Sequence, residues 1–124
     1  MEGYLNGELA IGIEESSGRI RLTWRGKSAA RDPGLTLIPF FEGVVKEAGE
    51  SGATVEMDFS GLEYFNSATL AAIIRSLQRS KRAGIQVVVA YDGAIGWQSR
   101  SCDALRVLED AEGMLTLRDV RRAG

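Results

Sequence analysis

Apolar positions alternate with polar or small ones twice near the start of the chain: Leu9, Ile11 and Ile13 across residues 9–15, then Ile20, Leu22 and Trp24 across residues 19–25. A period of two turns one side of each segment inward, so both read as half-buried strands. Ser16-Ser17-Gly18 supplies the turn of a hairpin between them. After a polar connection over 26–34 the period lengthens, and Leu37, Phe41, Val44, Val45 and Ala48 share one helical face. The predicted helix starts near Thr36 and ends before Ser51-Gly52, which keeps Pro39 in the first turn, where its missing N–H is tolerated. A short strand follows over 54–59. Leu70, Ile73, Ile74 and Leu77 then obey i, i+3, i+4, i+7 spacing, with Arg75, Gln78, Arg79 and Arg82 facing water and Gly84 as the stop. Residues 85–90 are a valine-rich run suited to a strand buried on both faces. Residues 93–96 read as a turn, 97–112 as a third helix with Leu105 and Leu108 inward, 114–117 as a last short strand, and 118–124 as a basic tail.

The order β-β-α-β-α-β-α-β places single helices between strands, which implies right-handed crossovers and an α/β fold on a mainly parallel mixed sheet of about five strands. With 124 residues the chain reads as a single domain over 1–124.

Composition removes several function classes. A net charge of -2 provides no concentrated basic face for nucleic acid. No apolar run reaches the roughly 20 residues that span a bilayer, and residues 1–6 lack a signal-peptide core, so the expected place is the cytoplasm and not a membrane. The single Cys102 rules out an intrachain disulfide. There is no histidine, which takes away the usual general base of Ser and Cys triads and the commonest zinc ligand. The acidic residues show neither metal-loop nor paired-acid spacing, and Gly93-Ala94-Ile95-Gly96 lacks the length and the Lys-Ser/Thr of a phosphate loop. No catalytic residue, metal or cofactor is therefore expected.

Candidate chemistry gathers where the 54–59 strand leads through a loop into the second helix. Ser67 stands at the helix start, where unpaired N–H groups and the positive end of the dipole favour an anion. It could accept a phosphate there, or simply cap the helix. Asn66 could hold the loop as an Asx turn or N-cap, or present its amide to a partner. Asp58 reads as a carboxylate closing the loop after its strand, since one carboxylate makes a poor metal site. Arg75, Arg79, Lys81 and Arg82 form a basic helical face, expected to be solvated. Arg31-Asp32-Pro33 reads as a loop that an ion pair could order. Tyr91, Asp92 and Trp97 surround a bend at the C-terminal end of a strand, the edge where open parallel sheets bind ligands; packing of the indole against the third helix is the competing reading.

Met57-Asp58-Phe59-Ser60 resembles the "D-L-S" strand end of the STAS domain family, and Phe65-Asn66-Ser67-Ala68-Thr69-Leu70 resembles its "D-S-S-G-L" loop, with Gly84 at the usual distance before the next strand. Asn66 stands where that family usually carries Asp. The Asn-Ser-Ala-Thr form is closer to the "N-T-S-S" loop of single-domain STAS-like phosphoproteins that regulate a diguanylate cyclase or a signalling kinase pair. The resemblance spans nearly the whole chain and implies an anti-sigma-factor-antagonist-like module, not an enzyme, that works by partner switching. It implies phosphorylation at Ser67, with Thr69 as the weaker acceptor, and partner contacts through Asn66, Ser67, Ala68, Thr69 and Arg75. The implied partners are a serine kinase of the anti-sigma type and a phosphatase. Regulation of a diguanylate cyclase, or a place in a stress-sensing complex without a sigma factor, is the alternative. A small α/β enzyme is the third reading, and the chain lacks the nucleophile elbow it would need.

Overall fold

A computed structural model describes residues 1–109 and 112–121. Seven strands form one sheet: β1 (Tyr4–Asn6), β2 (Leu9–Ser16), β3 (Arg19–Ser28), β4 (Thr54–Asp58), β5 (Leu62–Phe65), β6 (Val87–Tyr91) and β7 (Leu115–Asp119). Three helices join them: α1 (Gly34–Ser51), α2 (Ser67–Arg82) and α3 (Gly96–Leu105), the last running into a 3₁₀ turn, Arg106–Leu108. The spatial order is β1-β2-β3-β4-β6-β7, with β5 lying beside the second half of β3. The β1–β2 and β2–β3 pairs are antiparallel; all later pairs are parallel.

From β3 each helical crossover steps the same way across the sheet, to β4, then β6, then β7. With right-handed crossovers this puts all three helices on one face. Burial follows that division. Ile20, Leu22 and Trp24 of β3, Val55 and Met57 of β4, and Val87 and Val89 of β6 lie in the core with Leu37, Phe41, Val44, Ile73, Leu77 and Leu105 from the helices. The alternate positions Arg19, Arg21, Glu56, Asp58 and Arg118 belong to the other face.

The mixed α/β architecture matches the expectation, with two strands more than the five predicted. β1 is three residues long and β5 four, too short for a period to show. β5 follows a bend that Asp58 holds on leaving β4, after which the chain continues in the same direction. The Asp58 carboxylate accepts the Ser60 amide (2.9 Å) and hydroxyl (2.7 Å), and Leu62 N–H bonds the Phe59 carbonyl (2.9 Å). The chain then pairs with β3 further along. Gly26 stands at the register shift of this pairing: its φ of +86° suits glycine, and on the β2 side a Cβ there would strike the Glu8 carbonyl.

α1 begins two residues before the predicted start, at Gly34, so Pro39 lies in its second turn and not its first. The Leu35 carbonyl loses its helical partner, and water can replace it because both residues are exposed. Gly84, with φ +73°, terminates α2 as expected. The strand predicted over 85–90 occupies Val87–Tyr91. The helix predicted over 97–112 stops being α-helical at Leu105, and residues 110 and 111 of that span lie outside the described residues. Arg118 and Asp119, predicted in the tail, belong to β7; residues 122–124 of the tail lie outside the described residues.

Candidate functional site at the start of the second helix

β5 delivers Asn66 next to the end of β3, where its backbone N–H bonds the Ser28 carbonyl at 3.0 Å. Asn66 is the N-cap of α2: its Oδ1 accepts the Thr69 backbone N–H (2.9 Å) and the Thr69 hydroxyl (2.7 Å). Its Nδ2 donates to the Ala30 carbonyl at 2.8 Å, so one carboxamide ties the helix to the segment before α1. The Thr69 hydroxyl also lies 2.6 Å from the Ser28 hydroxyl. Since Thr69 has one proton and gives it to Asn66, Ser28 is the donor to Thr69. Ser28, Thr69 and Asn66 thus form a directed chain beneath the helix start, with Ser28 and Thr69 buried.

Ser67 is released by this arrangement. It is the first residue of α2 and exposed, and among the described residues its hydroxyl has no hydrogen-bond partner. The capping role considered for it belongs to Asn66. Thr69 is corrected as an acceptor candidate: at 0% exposure, with its hydroxyl held on both sides, it is closed to a modifying enzyme. Among the described residues the Ser67 and Ala68 amides have no partner at the helix end, and no acidic residue occupies the first turn. A phosphate there would meet a favourable dipole and no acidic residue of its own helix turn.

Ala68 is half-buried, and Arg75 is exposed two turns along. Of the basic face, Arg79 pairs with Glu42 of α1, and Arg75 and Arg82 have no ion-pair partner among the described residues. Arg31 and Asp32 form no ion pair with each other; the Asp32 carbonyl instead accepts the Leu35 amide at 3.3 Å.

Sequence reasoning missed Ser28 and the Ala30 carbonyl, both bonded to residues of the site. The Ser28–Thr69 contact spans 41 residues and leaves no local pattern.

Asp58 closes its loop as expected, and it also accepts from Arg21 at 2.6 Å. Burial pushes its carboxyl upward. The Ser60 hydroxyl, Arg21 and the Ser60 amide outweigh that and hold it below the usual carboxylate range. At the Tyr91 to Trp97 bend, the Trp97 ring packs edge-on against Phe65, with centroids 5.1 Å apart. Next to it the buried Gln98 amide donates to the Phe59 (2.9 Å) and Leu62 (3.1 Å) carbonyls while its oxygen accepts the Asp92 N–H (2.8 Å). α3 thereby braces the β4–β5 loop that leads to Asn66. Burial pushes the Cys102 thiol up to about 12, a poor nucleophile. Among the described residues no three His, Cys, Asp or Glu side chains gather as a metal site, and no helix is long and apolar enough to cross a membrane.

No family model matches the chain, and no curated protein matches it. Solved structures do. An anti-sigma factor antagonist from Mycobacterium paratuberculosis is 15% identical with a TM-score of 0.62, over 89% of this chain and 85% of that one. SiaC, in the crystal structure of the diguanylate cyclase SiaD with its activator SiaC from Pseudomonas aeruginosa, is 16% identical with a TM-score of 0.64, over 96% of this chain and 99% of that one. An uncharacterized protein of the DUF3478 family from Shewanella loihica, described as having a SpoIIAA-like fold, is 17% identical with a TM-score of 0.53, over 94% of this chain and 89% of that one. At these identities the likeness is one of fold, and the fold is the STAS-like one that the resemblance implied.

Proposed function

We propose that this chain is a regulatory protein–protein interaction module, not an enzyme, whose surface at the start of α2 docks a partner and whose docking is set by phosphorylation of Ser67. The observation that carries this reading is the division of labour at the helix start. Asn66 makes the cap and Thr69 is buried, leaving Ser67 exposed at the first helical position with a hydroxyl that no described residue engages. A phosphate there adds a charge of about -1.5 to -2, which the helix end accommodates and which a partner fitted to the neutral surface does not. Asn66, Ala68 and Arg75 complete the docking surface, and Thr69 supports it from beneath. The fold shared with an anti-sigma factor antagonist supports a serine kinase of the anti-sigma type and a phosphatase as partners, acting in the cytoplasm.

A second reading keeps the same switch but gives it a diguanylate cyclase as target, or a stress-sensing complex without a sigma factor. The Asn66-Ser67-Ala68-Thr69 loop and the alignment with SiaC over 96% of this chain favour it.

The test uses the purified chain, ATP and an anti-sigma-type serine kinase encoded beside its gene. Mass spectrometry should place the phosphate on Ser67. Calorimetry should then show the phosphorylated chain binding that kinase at least about tenfold more weakly, while Ser67→Ala binds nearly as well as the parent. Modification of another residue, or unchanged affinity after phosphorylation of Ser67, would refute the switch.

A further inference from the structure

We propose that the face of the sheet turned away from the helices associates with the same face of a second copy of this chain, about a two-fold axis passing between Gly12 of β2 and Thr23 of β3. Side chains alternate across a strand, so β2 sends Ala10, Gly12 and Glu14 to this face and β3 sends Arg21, Thr23 and Arg25. The antiparallel register sets them in three rows: Ala10 beside Arg25, Gly12 beside Thr23, and Glu14 beside Arg21. Gly12, Glu14 and Arg25 are exposed.

Gly12 points to a close approach from outside. It lies inside a regular strand, where glycine weakens the structure. Nothing within the chain calls for it: its φ is not positive, the pairing with β3 runs through it without a shift, and a Cβ there would meet nothing within 4 Å. A glycine with open space above it lets another backbone come near. Ala10 and Thr23 keep the relief low around it.

Charge selects the occupant. The other charged groups on this face are engaged within the chain, Arg19 and Arg118 on Glu56 and Arg21 on Asp58. Glu14 is felt by Arg21 in its row, yet neither Glu14 nor Arg25 makes an ion pair among the described residues. They stand about 7 Å to either side of the Gly12–Thr23 row, one on each strand. Glu8, Lys27 and Glu63 lie past Gly26, outside the three rows. A half-turn about the axis carries Glu14 onto Arg25 of the other copy and Arg25 onto its Glu14. The surface is therefore its own complement, and the contact closes at two copies. A partner of one charge sign would meet a like charge at one of the two positions. Since α2 lies on the opposite face, this association does not depend on Ser67.

Sedimentation equilibrium of the purified chain should show monomers and dimers in exchange at concentrations up to about 1 mM, with association weakening as salt screens the pairs. Glu14→Arg and Arg25→Glu each set like charges opposite one another at both contacts and should weaken association at least about tenfold. Mixing the two variants in equal amounts should restore it, because the mixed dimer regains opposite charges at each contact. A loss of folding could not be reversed by mixing. A chain that stays monomeric at about 1 mM, assembly beyond dimers, dimers indifferent to either substitution, or variants that fail to recover on mixing would overturn the proposal.

Discussion

The Asn66 carboxamide is engaged at both ends, accepting from Thr69 twice and donating to Ala30, whereas its neighbour Ser67 makes no side-chain bond among the described residues. Stability should therefore depend on the first and hardly on the second. Asn66→Ala removes the cap and the tether to the segment before α1. It is expected to cost about 1–2 kcal/mol, since loss of an N-cap alone typically costs about 1. Ser67→Ala should stay within about 0.5 kcal/mol of the parent, as exposed substitutions away from such contacts do. Urea melts followed by circular dichroism measure both. Equal losses in the two variants would mean that Ser67 shares the cap, and its hydroxyl would then not be free for modification.

α2 shows how an element can be legible in its existence and its ends yet not in its orientation. The spacing of Leu70, Ile73, Ile74 and Leu77 and the stop at Gly84 correctly bound the helix, but burial is uneven across those four. Ile73 (0% exposed) and Leu77 (5%) are in the core, while Leu70 and Ile74 lie half-buried at its margin. The buried side is rotated toward Ser76 and Ser80, polar residues that a hydrophobicity pattern does not count inward. Their hydroxyls bond the Ala72 and Ser76 carbonyls one turn back, both at 2.9 Å, which makes burial tolerable. Ile73→Ala should accordingly cost about 2–5 kcal/mol and Ile74→Ala clearly less, read from the same denaturation midpoints. A larger loss at Ile74 would require the helix to be rotated from its described position. The same limit governs the site. The place of Ser67 was readable because an amphipathic helix announces its own start. The identity of the cap, the burial of Thr69 and the role of Ser28 were not, because each depends on β5, a four-residue strand whose pairing with β3 has no local signature.

At the scale of the whole molecule the sheet has two unlike faces. The helices cover one with aliphatic and aromatic side chains. The other carries two carboxylates of β4, Glu56 and Asp58, each only 4% exposed. Guanidinium groups from β3 and β7 cover them: Arg19 (3.2 Å) and Arg118 on Glu56, Arg21 on Asp58. Arg118 reaches across β6 and so fastens the edge strand β7 to the centre of the sheet. Buried carboxylates are costly unless paired, so these pairs make the uncovered face compatible with folding. The consequence appears in acid. Asp58 has its proton affinity lowered in the folded chain, chiefly against the pull of burial, by the Ser60 hydroxyl and Arg21. A carboxyl whose folded pKa lies below its ordinary 3.8 contributes its full stabilisation above that value and loses it as pH falls through the lower folded one. Asp58→Asn keeps the shape but cannot ionise. The parent should be the more stable protein at neutral pH, and the difference should hold down to about pH 4 and then close as the solution becomes more acidic. Urea midpoints of the two proteins across that range measure it. A difference that stays constant below pH 4 would show that Asp58 contributes through its hydrogen bonds alone, and that its negative charge adds nothing to holding β4 beneath Arg21.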